Sequence, residues 1–485
     1  MPFALPIWVT NLGPSTRAVA YASIMDSFHF VNGQLHAESV PLAQIAERFG
    51  TPTFVYSSAT IRDHVRKLQV AYAPLKARIC FAVKACPNLS VLRLLAQSGC
   101  GMDVVSGGEL YRALLAGVQP EQIVFAGVGK STDELRAALG DHSALFPPPS
   151  ADQPSFTQLP ARPIGCINVE SEQELGQIAE IARSMQIRAN CALRINPDVA
   201  AGGHKHISTG GHDSKFGIPI EQAGPIIRRF ASDKHIALTG LHVHIGSSIT
   251  SPAPFVQATQ RLLQLITALA SPGANGEPAV AIKSLDLGGG FGADYQTGDA
   301  PAASVFAEHL IPLLAPFVAL GLAITIEPGR MIVANAGVLL TRVRTTKQSG
   351  PSKFIVLDSG MNHLIRPALY EAFHFIWPTS VSPQHEPPRR SADLSLPGLE
   401  RCEVVGPICE SGDYFARGRL LPPISPGELL GIFAAGAYAM SMASRYNSHP
   451  LPAEVIVDGS DVWLARSRET LADLVSHEHG SGVRI

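Results

Sequence analysis

Charge is scarce in this chain. Of its 485 residues only 16% are Asp, Glu, Lys or Arg, against 46% hydrophobic, and the formal net charge is -2. That balance excludes an intrinsically disordered chain, which combines low hydrophobicity with high charge. It also leaves no basic footprint for nucleic acid or an anionic membrane. Cysteine is scarce as well. Seven, an odd number scattered over a long chain, form neither a disulfide framework nor a zinc pattern, and a reducing compartment fits them better. The stretch Met1 to Tyr21 holds one basic residue, Arg17, and lacks the apolar core of a secretory signal. The longest uncharged run, Leu310 to Ile326, contains Pro312, Pro316 and Gly321. It falls short of the ~20 residues a membrane span needs and reads as a helix followed by a buried strand. The chain is therefore expected to be soluble and cytoplasmic, with no nucleic-acid or membrane partner.

What is present is a strand–helix rhythm. Residues 1–26 read as an extension. Residues 27–57 carry strand-like alternation, with a turn at Asn32-Gly33 and a short helix from Pro41 to Phe49, and are expected to join a later β domain. From 58 to 329 eight apolar strand candidates alternate with helices: Ile79–Val83, Met102–Val105, Ile123–Phe125, Cys166–Val169, Cys191–Ile195, Leu238–Ile245, Ser284–Leu287 and Ala323–Ile326. That count and spacing predict an α/β fold, a (β/α)₈ barrel, with a doubly wound open sheet as the alternative. A Pro-rich stretch over 141–163 interrupts the rhythm as a surface insertion. Residues 330–485 read as a mostly β second domain.

The chemistry-bearing residues fall at the ends of the barrel strands. Lys84 closes an apolar strand. Either its ammonium snorkels to water, or burial depresses its pKa and makes the amine a nucleophile towards a carbonyl. Asp103 lies in the second strand. In His242-Val-His244 two histidines stand two apart, one of them suited to stack on an aromatic ring, with Ser247 following as a phosphate ligand. No acidic or cysteine partner stands at metal-ligand spacing, so no metal is expected. Asp286-Leu-Gly288-Gly289-Gly290 runs a strand into a glycine turn suited to a phosphate monoester; it lacks the spacing of a dinucleotide site or P-loop. Glu327 ends the eighth strand, where a buried carboxylate could hold a pyridine nitrogen protonated, and Arg330 could clamp phosphate or carboxylate. Cys409 and Glu410 sit in a Gly/Pro-bounded loop, where a thiol could donate a proton. A lysine for an aldehyde, donors for a phosphate, a histidine for the ring and a glutamate for its nitrogen are what pyridoxal 5′-phosphate requires.

Several stretches, in order from about residue 27 to 470, also carry a family resemblance. They include Phe81 to Ala85, Asp103 to Leu110, Arg194 to Asp198, Ile207 to Gly210, Lys215 to Gly217, His242 to Ser247, Glu327 to Arg330, Met361 to Tyr370, Cys409 to Asp413 and Gly436 to Tyr438. In them the chain resembles the diaminopimelate decarboxylases, members of the barrel-plus-β-domain group (fold type III) that includes ornithine and arginine decarboxylases and alanine racemase. The resemblance implies that Lys84 carries the cofactor's aldehyde and His244 stacks on its ring. It implies that Ser247, Gly288–Gly290, Arg330 and Tyr438 hold the phosphate end and that Glu327 meets the ring nitrogen. Substrate would fall to Arg330, Arg366, Tyr370, Glu410 and Tyr438. Cys409 would act as proton donor in a neighbouring subunit's site, so the expected unit is a homodimer with shared active sites, acting on meso-diaminopimelate. Other decarboxylases of the group, on ornithine, arginine, a D-amino acid or carboxynorspermidine, are the near alternatives; a racemase or a non-catalytic cofactor carrier are more distant ones. The chain departs from the family pattern at His206, Ser248 and His363, and the last is expected to bear on substrate affinity.

Overall fold

In a computed structural model the chain is described at residues 26–146, 159–200, 214–273, 276–293, 295 and 302–479. The expectations placed on 1–25, on His206 with Ile207 to Gly210, and on the middle of the 141–163 insertion lie outside the described residues.

Eight parallel strands close into a barrel: Arg78–Ala82, Gly101–Val104, Ile123–Phe125, Cys166–Val169, Ala189–Asn196, Ile236–Val243, Ser284–Asp286 and Ala323–Ile326. The first strand pairs with the second and also with the eighth, Thr325 opposite Arg78 and Ile326 opposite Ile79. The fourth pairs with the fifth, so the ladder has no free edge and the open-sheet alternative is excluded. Side chains alternate between barrel interior and helix layer, which is why these strands read as nearly continuous apolar runs.

The helices begin where the strand ends need them to. Asn88, Ser106, Ser131 and Ser171 each cap a following helix by accepting backbone N–H bonds. Each cap satisfies donors that the first turn leaves orphaned, worth about 1 kcal/mol. These caps stop the chain at defined points just beyond the C-terminal ends of the strands, the face on which Lys84, His244 and Glu327 stand. Leu310 to Ile326 forms the end of helix Ala303–Ala319 and then the eighth strand, and no described helix is long and apolar enough to cross a membrane.

The second domain is a mostly β layer. Its long strand Gly337–Ser349 pairs with Ser352–Leu357, with Leu429–Ile432 and with Thr53–Ser57 from the N-terminal region. Thr53–Ser57 also runs parallel to Ala453–Asp458, so the chain enters the barrel from inside the β domain. Phe28–Val31 and Gln34–Ala37 instead form a separate hairpin sheet with Val40–Pro41. Its turn residues Asn32 and Gly33 have φ of 50° and 74°, as a two-residue hairpin of matching twist requires.

Candidate active site

Lys84 does not end its strand. The strand stops at Ala82, and Val83–Ala85 make one tight 3-10 turn that lifts the lysine above the barrel mouth. Its Nζ lies 2.6 Å from Oδ2 of the fully buried Asp103 on the next strand. The expectation of a depressed lysine pKa is corrected here. Burial pushes the ammonium down, but Asp103, Tyr438 and Glu327 outweigh it and leave the group above its ordinary value. Burial and the Glu327 charge in turn push the Asp103 carboxyl up. Lys84 therefore rests as an ammonium in contact with that carboxyl.

Beside this pair, Glu327 is 2% exposed. His242 Nε2 lies 3.3 Å from one of its oxygens, and Asn168 Nδ2 donates to the other at 3.4 Å. Burial raises the Glu327 pKa, but His242 and Lys84 more than reverse this and hold it at about 2, so it is a carboxylate. The histidines divide their work. His242, inside the sixth strand, supports Glu327; His244, one residue past the strand end, faces the same cavity as Lys84. Gly289 N–H donates to His244 Nδ1 at 3.1 Å, and burial together with the Lys84 charge keeps that imidazole well below its ordinary pKa. It is a neutral ring. Chain spacing offered no acidic partner for these histidines, yet the fold gathers His242, Asp286 and Glu327 with ligand atoms all within 4.8 Å. Within this group His242 hydrogen-bonds Glu327, and Asp286 accepts from Gly288 N–H.

The glycine run serves close packing. A Cβ at Gly288 would meet Val243 O at 2.2 Å, and one at Gly289 would meet Glu327 O at 2.3 Å. Two of its N–H groups are already engaged, Gly288 with Asp286 Oδ1 and Gly289 with His244. The anion-binding side chains stand close by. Arg330 donates to Ser247 Oγ at 3.1 Å and to Tyr295 Oη at 2.9 Å, and lies 4.6 Å from the Tyr438 ring centre. Tyr438 donates its backbone N–H to Ala85 O, which ties the β domain to the turn bearing Lys84.

These residues line one cavity of about 570 Å³. Lys84, His242, His244, Ser247, Glu327, Arg330, Tyr370 and Tyr438 all face it. Asp103 and Gly288–Gly290 lie behind its wall, and the expected Arg366, Cys409 and Glu410 do not line it either. Arg366 stands one layer back, 4.3 Å from the Tyr295 ring centre and donating to His374 Nε2 at 2.8 Å. Cys409 and Glu410 are exposed on a loop fixed by Asp413, which accepts N–H bonds from Met361 and Ile408. His363 is buried outside the cavity, bonded to Ser359 Oγ and Pro450 O at 3.2 Å each, so its departure from the family pattern does not fall on the cavity wall.

Several residues of the site were given no role in the sequence. Tyr295, five residues beyond the glycine run, stands between Arg330 and Arg366. Arg194 lines the cavity, paired with Glu170, which also accepts Gly217 N–H. Its place at the end of the fifth strand was the available signal. A buried Arg330 Nε and an unpartnered Asp103 Oδ1 leave polar capacity in the site. The donor set — an amine, a fixed carboxylate, a neutral imidazole and a hydroxyl–guanidinium group — fits pyridoxal phosphate.

Comparison with known proteins agrees with that chemistry. Residues 58–334 match the family model "Pyridoxal-dependent decarboxylase, pyridoxal binding domain". The diaminopimelate decarboxylase of Pseudomonas aeruginosa is 41% identical over 456 residues, covering 94% of this chain and 99% of that protein. The one from Vibrio cholerae is 41% identical over 451 residues, covering 93% and 98%. Among solved structures, diaminopimelate decarboxylase of Helicobacter pylori complexed with L-lysine superposes with a TM-score of 0.78 at 34% identity, over 90% of this chain and 99% of that one. The M. jannaschii enzyme in co-complex with L-lysine gives 0.80 at 32%, over 94% and 98%. The chain belongs to the diaminopimelate decarboxylase family of pyridoxal-dependent decarboxylases.

Proposed function

We propose that this chain decarboxylates meso-2,6-diaminopimelate to L-lysine and CO₂ in the cytoplasm, as a homodimer whose two sites are shared. The observation that carries the reading is the single cavity in which Lys84, Glu327, His244 and Arg330 converge. Seven cysteines free of disulfides suit a reducing compartment.

Pyridoxal 5′-phosphate, when bound, supplies an aldehyde for amines and a ring that accepts the electron pair released as CO₂ leaves. The protein's part is positional and electrostatic. Lys84 would hold the aldehyde, and Asp103, in contact at 2.6 Å, is the base that takes the ammonium proton when the free amine is needed. Glu327, kept anionic, would accept a hydrogen bond from the ring nitrogen, which keeps that nitrogen protonated. His244, neutral, would pack on the ring without adding a charge. Ser247, Arg330 and Tyr438 would hold the phosphate, with Gly288–Gly290 bringing the strand ends close enough to shape that pocket.

The distal end of the substrate carries both an ammonium and a carboxylate. Arg366 and Tyr370 suit the carboxylate on this chain. Glu410 of the partner subunit suits the ammonium, and Cys409 of the partner subunit is placed on the same exposed loop to return a proton to Cα. That exposed loop is what supports the dimer: its acid and thiol are exposed and do not line their own cavity. The test is release of labelled CO₂ from carboxyl-labelled meso-diaminopimelate, with and without added pyridoxal phosphate, beside lysine, ornithine and arginine. Cofactor-dependent release from diaminopimelate alone is expected. Equal release from ornithine or lysine would refute the substrate assignment.

A further inference from the structure

Beneath Glu327 the barrel holds a second buried carboxyl. Asp286 ends the seventh strand, opposite His242 in the register of the sixth, and is 6% exposed. Its Oδ1 accepts Gly288 N–H at 2.9 Å, and its carboxyl stands beside that of Glu327, the two gathered with His242 within 4.8 Å. Two carboxylates cannot share such a contact without a proton between them. The partners decide where that proton rests. Glu327 has His242 and Asn168 on its two oxygens and Lys84 nearby. For Asp286, burial and the charges of Glu327 and Asp103 all disfavour the ionised form. The proton belongs on Asp286.

Asp286 also reaches the opposite end of the barrel. It lines a cavity of about 300 Å³ on the N-terminal face, together with Arg78, Cys166, Asn168 and Thr325. It therefore stands beside Glu327 on one side and borders a space remote from the substrate cavity on the other. We propose that Asp286 is a positioning residue of the cofactor site, a proton donor in the barrel floor that fixes Glu327 as an anion for the cofactor's ring nitrogen. This inference rests on the reading that Glu327 meets that nitrogen.

The experiment uses apoenzyme reconstituted with pyridoxal phosphate, reading cofactor affinity by equilibrium dialysis and the visible absorbance of bound cofactor against pH. Asp286→Asn keeps an N–H donor of the same shape and is expected to stay close to the parent protein. Asp286→Leu keeps the branched shape, at a larger volume, and removes the donor. Losing one hydrogen bond to a charged acceptor should weaken cofactor binding about tenfold or more. Glu327 then holds its own proton more tightly, so the acid limb of the absorbance titration moves to higher pH. If the leucine variant fails to fold, Asp286→Ser, too short to reach Glu327 yet still polar towards Gly288, is read in the same way. Unchanged affinity and titration in the leucine or serine variant, or an asparagine variant as impaired as they are, overturns the proposal. Glu327→Gln separates the two readings. If it leaves the absorbance titration unchanged, the ring-nitrogen assignment fails. If it alters the titration while the Asp286 variants do not, the Asp286 inference alone fails.

Discussion

The barrel mouth and the Cys409–Glu410 loop are built on opposite plans. At the mouth, Lys84 has Asp103, Glu327 has His242 and Asn168, and Arg330 has Ser247 and Tyr295, all within one chain. The loop is equally well anchored at its base, by Asp413, but its tip displays Cys409 and Glu410 to solvent. A site assembled inside a fold needs its partners present before substrate arrives, since buried charges without partners are costly. A site assembled across two chains can leave its groups hydrated until the chains meet. The first plan fits cofactor chemistry encoded in one polypeptide, and the second fits the proposed sharing of substrate recognition between two.

The largest break in this comparison comes from Lys84→Ala. Removing the group that acts as a unit with Asp103 should abolish the visible absorbance of bound cofactor and reduce turnover roughly 10⁴-fold or more. Stopped-assay CO₂ release and an absorbance scan check it; substantial residual turnover would refute the role of Lys84. The loop is tested by mixing. Lys84→Ala and Cys409→Ala are each expected to be inactive alone. If two-fold related subunits share sites, random mixed dimers carry one intact site, and activity should recover to about a quarter of the parent value. Recovery stays at zero if each chain uses its own loop.

How much of this was legible in the sequence differs between the same two regions. The barrel strands are buried on both sides, so each is an apolar run, and Ile123–Phe125 and Cys166–Val169 have the same bounds in sequence and structure. In the β domain, Tyr414–Leu421 and Asp461–Arg466 were not read as strands. Both are half-exposed and carry Arg417, Arg419, Asp461 and Arg466, so no apolar run marks them. Ile376–Pro378 is short and ends on proline. At the site, residues at strand ends were visible because a charged or glycine residue interrupts an apolar run. The contacts of Asp286 with Glu327, of Arg194 with Glu170, and of Tyr295 with two arginines were not visible. They depend on barrel closure and register, which bring together strands far apart in the chain.

A subtler difference separates the two regions in acid. His363, in the segment that leads to the loop's anchor, is buried and neutral, and burial pushes its pKa down to about 4. Unfolded chains bind that proton near pH 6.5, the folded protein only near 4, so between those values the unfolded state carries more protons. Stability is therefore complete above pH 6.5 and falls as pH drops towards 4, by at most about 3 kcal/mol. His363→Gln should flatten that slope in urea titrations at pH 7 and pH 4.5, with no change in cofactor absorbance. An unaltered slope would show that other groups govern the acid limb.

The smallest effect should come from Tyr446→Phe. Its hydroxyl meets Glu410 at 3.2 Å, and both residues are exposed. In the isolated chain such a bond contributes roughly 0.5–1 kcal/mol or less, because water competes for both groups. Thermal unfolding of dilute, dissociated protein should therefore barely move. In an assembled site the same hydroxyl would orient Glu410 for the substrate's distal ammonium, away from bulk water, where hydrogen bonds to charged groups are worth about 1.5–3 kcal/mol. KM for diaminopimelate should then rise by about tenfold while kcat and the cofactor spectrum hold. A KM effect without a stability effect marks a group that matters only once a second chain covers it. If neither changes, Glu410 needs no orientation from Tyr446, and the loop's contribution reduces to Cys409.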